Sequence, residues 1–149
     1  MIEENTFIIR SRAVITHDDR LLVVKHTNHD DKHDDFYTLP GGHLDYGEEP
    51  VECIEREIVE ELGVNPTIGK LLYVHTYTDK GVQPIEFFYE VLNGENYLNT
   101  ETLKGIHAHE IAEIRWVGKD EEINFLPHKL YEDFKSGSIF SNEVKYIKS

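Results

Sequence analysis

Two apolar runs, Arg12 to Thr16 and Leu21 to His26, flank the polar stretch His17-Asp18-Asp19-Arg20, a pattern that predicts a β-hairpin. Thr27 to Asp35 is polar throughout and reads as a loop. Phe36 to Leu39 predicts a short strand, stopped by Pro40-Gly41-Gly42. The clearest periodicity follows. Val51, Ile54, Ile58 and Leu62 recur at spacings of three and four, one apolar stripe of a helix from about Pro50 to Leu62. Proline at its start and Gly63 just past its end match the asymmetry of helix termini. Leu71 to Thr76 and Ile85 to Leu92 are rich in β-branched and aromatic residues and predict strands, with a shorter one at Glu113 to Val117. Leu126 to Lys135 predicts a tail helix. Interleaved strands and helices indicate an α/β (α+β) layered domain. The strands lie too close in sequence for a series of parallel crossovers, so a mixed β-sheet is expected.

Length changes the picture little: 149 residues make one ordinary domain, 1–149, large enough to bury a core without a disulfide framework. The single cysteine, Cys53, has no internal partner, which fits a reducing compartment. The N-terminus lacks the basic start and apolar stretch of a signal peptide, and no apolar run approaches the ~20 residues of a membrane span. A cytoplasmic protein with no membrane partner is the expectation. The net charge of -14 excludes more: such a surface repels a phosphate backbone, so long nucleic acid is not an expected partner. The excess acid serves solubility, or admits small phosphorylated ligands through bridging divalent cations; composition leaves both open.

Candidate chemistry sits on the central helix. Glu57, Glu60 and Glu61 stand at i, i+3 and i+4, on one face of the helix and away from the apolar stripe, where the carboxylates are expected to stay accessible. Like charges at these spacings repel by a few tenths of a kcal/mol per pair, about the size a structural helix would avoid. A divalent cation removes the repulsion, and carboxylate oxygens suit hard ions such as Mg2+ and Mn2+. Arg56, four residues before Glu60, is placed to hold that carboxylate in one rotamer.

Gly42, Glu48, Arg56-Glu57-Ile58, Glu60-Glu61 and Gly63-Val64 together resemble a complete Nudix box, Gly42 to Val64, the signature of the Nudix hydrolase superfamily (MutT-like). At average residue frequencies such a pattern arises by chance on the order of 10^-7 times in a chain of this length. The resemblance implies a Nudix-type α/β/α sandwich with a mixed sheet, and hydrolysis of nucleoside diphosphates linked to another moiety. It implies that Glu57, Glu60 and Glu61 are metal ligands, joined by the backbone carbonyl of Gly42. Arg56 would orient a ligand glutamate, Glu48 support the box from its loop, and Gly63 end the helix. Many members add an acid from a later loop, and Glu110 is the candidate here, as a further metal ligand. For the proton acceptor, Glu60 and Glu61 come first and Glu110 after them. The cofactor implied is Mg2+, with Mn2+ as a substitute.

Weaker signals surround the box. The loop carrying His26, His29, Asp30, Asp31, His33, Asp34 and Asp35 lacks any metal-ligand spacing and reads as solvated, with a lid or secondary metal site as the sharper alternative. Phe36, Tyr37 and Tyr77 are candidates for stacking on a nucleobase, and strand alternation sends one of Phe36 and Tyr37 into the core. His75 is core or pocket wall. Trp116 reads as packing, and Cys53 as a space-filling thiol. The expected activity is phosphoanhydride cleavage in a nucleoside diphosphate derivative or a nucleoside triphosphate. A silent nucleotide-binding or sensor module is the alternative, and a homodimer is possible.

Overall fold

Strand β1 (Thr6–His17) runs through the middle of a mixed sheet and sets both of its faces. Its odd positions, Ala13 and Ile15, are fully buried in one apolar cluster, and Val14 is buried in the other. The computed structural model describes residues 4–28 and 34–149. His29, Asp30, Asp31 and His33 of the polar loop lie outside the described residues.

A turn at Asp18 and Asp19, both with positive φ, returns the chain as β2 (Arg20–His26), completing the expected hairpin. β3 (Gly41–His43) pairs antiparallel with Arg10–Arg12 of β1. Helix α1 (Pro50–Leu62) follows, then β4 (Ile68–Thr76), β5 (Val82–Val91), β6 (Ile111–Gly118), α2 (His128–Ser136) and β7 (Lys145–Lys148). The sheet order is β6-β2-β1-β5-β4-β7, with β3 alongside β1. β1 is parallel to β5 and β4 to β7, while the other pairs are antiparallel. Ile54, Ile58 and Leu62 of α1 pack with Ala13, Ile15 and Leu22 on one side. Leu130 and Phe134 of α2 pack with Val14, Tyr73 and Phe88 on the other. The result is an α/β/α sandwich with a mixed sheet.

Local chemistry explains α1. Glu49 precedes Pro50, its N–H bonded 2.9 Å to the Glu52 carboxylate, and Gly63 closes the helix at φ 76°, its N–H donating to the Val59 carbonyl. The remaining carbonyl groups at that end are reached from far along the chain. Gly105 N–H donates to Glu61 O at 3.2 Å and His107 N–H to Glu60 O at 2.6 Å.

Three expectations need correction. Phe36 to Leu39 is not a strand: only Tyr37 and Thr38 make isolated bridges, and the Gly41-Gly42 pair begins β3 rather than merely stopping the chain. Side-chain-free backbone can lie close against β1 there. The tail helix starts at His128, after the Leu126-Pro127 step, not at Leu126. The face of α1 bearing Glu57 and Glu61 is not accessible, because β3 lies over it: Glu57 is 8% exposed and Glu61 1%.

Candidate active site

β1 and β2 pair only near their turn, at Thr16–Leu21 and His17–Arg20; further back β3 takes the place of β2 beside β1. Glu61 is held between these two diverging strands. Its Oε1 accepts from Gly41 N–H of β3 at 3.3 Å, and its Oε2 lies 3.6 Å from Nε2 of His26, at the end of β2. Burial first, then the charge of Glu110, pushes Glu61 well above the usual carboxylate range, with Arg12 opposing. Glu57 is raised as well, by burial and then by the neighbouring Glu61. His26 is pushed down to about 4 by burial and by Arg12, and is neutral at physiological pH.

Gly42 makes room for Glu57. A Cβ there would stand 2.5 Å from the Glu57 carboxyl carbon, so no side chain is compatible with the carboxylate in its place.

Arg56 organises the other acids. Its Nε and one terminal nitrogen grip both oxygens of Glu48 at 2.8 and 3.0 Å. The other terminal nitrogen bridges Glu57 and Glu60, each at 3.0 Å, and a further bond reaches the His43 carbonyl at 2.9 Å. Glu60 also faces His107 Nδ1 at 3.2 Å. Bidentate gripping draws on the planar fork that lysine lacks. Arg56→Lys is therefore expected to destabilise the fold by about 1–2 kcal/mol at pH 7, discounted because the guanidinium is partly exposed. The Arg56 bonds, chiefly, hold Glu48 below the usual carboxylate range. A depressed carboxylate contributes stability above its unfolded pKa and loses it as pH falls through the folded one. Urea midpoints of wild type and variant should therefore converge on acidification below about pH 4, the ordinary carboxylate range; a gap that persists there would contradict an ionic role.

Of these acids Glu57 lines a cleft of about 1170 Å³. Arg10 and Arg12 supply a second wall of this cleft, projecting from the face of β1 that carries Val14 further along. Glu86 of β5, 4% exposed, anchors them: Arg12 Nε lies 3.1 Å and an Arg10 terminal nitrogen 3.5 Å from its Oε2. His75 Nδ1 contacts the other oxygen at 3.0 Å. Arg12 first among the favourable partners, with His75 and Arg10, overcomes the burial penalty and holds Glu86 down at about 2. The row Arg10–Glu86–His75 follows the strand register directly, since Arg10 pairs with Glu86 and Glu86 with His75.

Of the residues singled out in the sequence, Gly42, Glu57, Glu110, Phe36 and Tyr77 all line this cleft. Glu61 does not line it but a neighbouring pocket of about 820 Å³, and contacts the cleft residues Gly41 and His26 from behind, while Arg56 ties Glu60 and Glu48 to Glu57. Glu110 ends a short 3-10 turn, Ala108–Glu110, and is exposed. Tyr37 does not belong: it is buried in the cluster under α2, its hydroxyl bonded to Glu113 on β6. Alternation turned Phe36 to the cleft and Tyr37 inward. Cys53 is buried, its thiol pushed up to about 11 by burial, and Trp116 packs against the α1 cluster. Arg10, Arg12, His43 and Glu86 escaped the sequence reading. The signal for the arginines is their alternation on β1, two cations sharing one face of a strand whose later residues are core.

Among the described residues no three His, Cys, Asp or Glu side chains converge closely enough to enclose a metal ion as they stand, and Arg56 engages Glu57 and Glu60. The donor chemistry nevertheless fits a divalent cation. Two buried carboxyls are raised by burial and proximity, and Glu61 Oε2 is a buried oxygen with no hydrogen-bond partner.

A sandwich of this topology with an acid-bearing helix over one cleft defines a class, and comparison with known proteins gives the family. A profile for the NUDIX domain matches residues 8–136, and the chain belongs to the Nudix family. Over 87 residues it is 35% identical to an ADP-ribose pyrophosphatase of Methanocaldococcus jannaschii, covering 56% of this chain and 50% of that protein. The chain thus matches about half the length of this relative. Among solved structures, a MutT NUDIX hydrolase from Burkholderia pseudomallei superposes with a TM-score of 0.67 at 22% identity, over 87% of this chain and 96% of that one. The E. coli ORF135 protein does so with a TM-score of 0.67, also at 22% identity, over 89% and 91%. At such identities the likeness is one of fold. Among the described residues no helix is long and apolar enough to cross a membrane.

Proposed function

We propose that this chain is a Mg2+-dependent pyrophosphohydrolase that cleaves a phosphoanhydride bond in a nucleoside diphosphate derivative or nucleoside triphosphate. One observation carries the reading: the buried Glu57 carboxyl and the paired guanidiniums of Arg10 and Arg12 line the same cleft. Carboxylates alone would repel a polyphosphate, and guanidiniums alone would bind it without activating it. Together they suit an anion that arrives with a divalent cation. The name of the M. jannaschii relative points to the same bond type.

Glu57 and Glu61, with Glu60 and the Gly42 carbonyl, would hold the cation. Bound there, a divalent ion neutralises phosphate oxygens and lowers the pKa of a water. Arg56 keeps Glu57 and Glu60 in fixed rotamers. Arg10 and Arg12, anchored on Glu86, bind the phosphate further from the carboxylates and so align the scissile bond. Phe36 and Tyr77 line the same cleft and offer aromatic faces to a base. Glu60 is tied to Arg56 and His107, which suits anchoring. Glu110, exposed on the cleft, is assigned the water proton.

The test is phosphate and nucleotide release across a panel of nucleoside diphosphate derivatives and triphosphates with Mg2+, comparing wild type with Glu110→Gln. Turnover that EDTA removes, and a variant with kcat lower by about 10^2 at unchanged metal affinity, is the expected result. An unaffected variant would remove Glu110 from the mechanism. Nucleotide binding by folded wild type without turnover in Mg2+ or Mn2+ would replace the enzyme reading with a sensor.

A further inference from the structure

In the described part of the molecule, two buried side-chain nitrogen or oxygen atoms lack a hydrogen-bond partner: Nε2 of His26 and Oε2 of Glu61. They face each other at 3.6 Å. An orphaned buried polar atom is costly, about 1–3 kcal/mol each, and calls for a cause. Here two orphans point into one gap, from a strand end and a helix that share no local sequence. His26 is fixed by its backbone: the register of β2 against β6 shifts between Lys25 and His26, and the His26 carbonyl accepts from Asp34 N–H. That irregularity turns the imidazole toward the cleft, which it lines with Gly41, Gly42 and Glu57. A direct hydrogen bond would need the two atoms to approach by several tenths of an ångström. A shared ion needs no approach, since nitrogen and oxygen donors each sit about 2.0–2.2 Å from a divalent transition metal and so stand up to roughly 4 Å apart.

We propose that His26 is a nitrogen ligand to a divalent ion that it shares with Glu61, and that it biases the site toward transition metals over Mg2+. The inference rests on the metal-dependent reading above and extends it. An all-oxygen set suits Mg2+, whereas an imidazole raises affinity along the series from Mn2+ upward and gives Mg2+ little. Mn2+ is then held more tightly than Mg2+, although both fill the same carboxylates.

The test uses the full chain and Mn2+ alone as probe. Pulsed electron paramagnetic resonance of the Mn2+-loaded protein should show nitrogen-14 coupling in wild type. The coupling should vanish in His26→Gln and survive in His107→Gln and His43→Gln, which remove the imidazole paired with Glu60 and another on the cleft wall. Mn2+ affinity in His26→Gln should fall about 10-fold, with Mg2+ affinity changed far less. Bound Mn2+ with no nitrogen coupling, or coupling lost in either control variant, would overturn the role of His26 and leave the carboxylate metal site standing. If His26→Gln does not fold, coupling that also survives in His75→Gln and His109→Gln, the other cleft imidazoles, leaves His26 as its source, and coupling lost in either overturns the proposal. Failure of wild type to bind Mn2+ or Mg2+ at all would overturn the metal-dependent reading itself.

Discussion

Glu61→Gln is expected to lower kcat/KM by a factor of about 10^3 or more while making the metal-free protein more stable. The two effects have one origin. Glu61 is 1% exposed, one of its oxygens has only a 3.3 Å bond from Gly41 N–H, and the other has none. A charge in that position is costly without a counter-ion. Glutamine keeps the shape, accepts the same N–H and presents a neutral NH2 group. The sign with pH follows from the raised carboxyl. A group whose folded pKa exceeds its unfolded value leaves the fold unpenalised below the unfolded pKa, and stability is lost as pH rises through the folded one. Wild type should therefore weaken from about pH 4.5 upward in EDTA, and the variant should not. The gap is expected to reach about 1–2 kcal/mol above neutrality. Mg2+ should narrow it, since the cation binds the native wild type in preference. Urea unfolding in EDTA at pH 5 and pH 8 measures this directly. A variant less stable than wild type at pH 8 would mean that Glu61 is satisfied by groups other than a cation.

That the chain belongs to the Nudix family was legible in the sequence because the signature is local. Pro50, Gly63 and the three-and-four spacing of Val51, Ile54, Ile58 and Leu62 fix a helix by themselves. The acid spacing on that helix follows from its pitch. What was not legible depends on long-range packing. The burial of Glu57 and Glu61 is decided by β3, and β3 was hidden because a Gly-Gly pair looks like a turn until its backbone is seen to bond β1. β7 is short and half charged, and exists because the edge of β4 offers it backbone partners. Arg10 and Arg12 belong to no local motif. They matter because the sheet face that buries Val14 runs out into the cleft one turn of the pleat earlier. The loop over the end of α1 is held by Gly105, whose missing side chain admits the Glu60 carbonyl; a Cβ would meet that oxygen at 2.2 Å. No spacing rule links residue 105 to residue 60. His26 likewise gained its significance only when Glu61 was found across the gap.

The two neighbouring glycines of β3 separate fold from chemistry, and substituting each is expected to fail in a different way. Gly41 adopts φ 150°, and a Cβ there would stand 2.0 Å from the Ser11 carbonyl oxygen and 2.9 Å from the Arg12 Cα. Both obstacles are backbone of β1, so relief means unpairing β3. Gly41→Ala should cost about 3–4 kcal/mol, a large share of an ordinary domain's stability. At Gly42 the obstacle is the Glu57 carboxyl, 2.5 Å from the added carbon, at the far end of a side chain rather than in backbone. Glu57 can swing away only by giving up its 3.0 Å bond from Arg56, so Gly42→Ala should cost about 1 kcal/mol, well short of Gly41→Ala. The displaced carboxylate then leaves the cation-binding set, and Mn2+ affinity and kcat/KM should each fall about 10- to 100-fold. Denaturant midpoints and a Mn2+ titration on both variants read the contrast. A Gly42→Ala protein that folds normally and binds Mn2+ like wild type would show that Glu57 is not a ligand. The acids of α1 would then have to act through Glu60 and Glu61 alone.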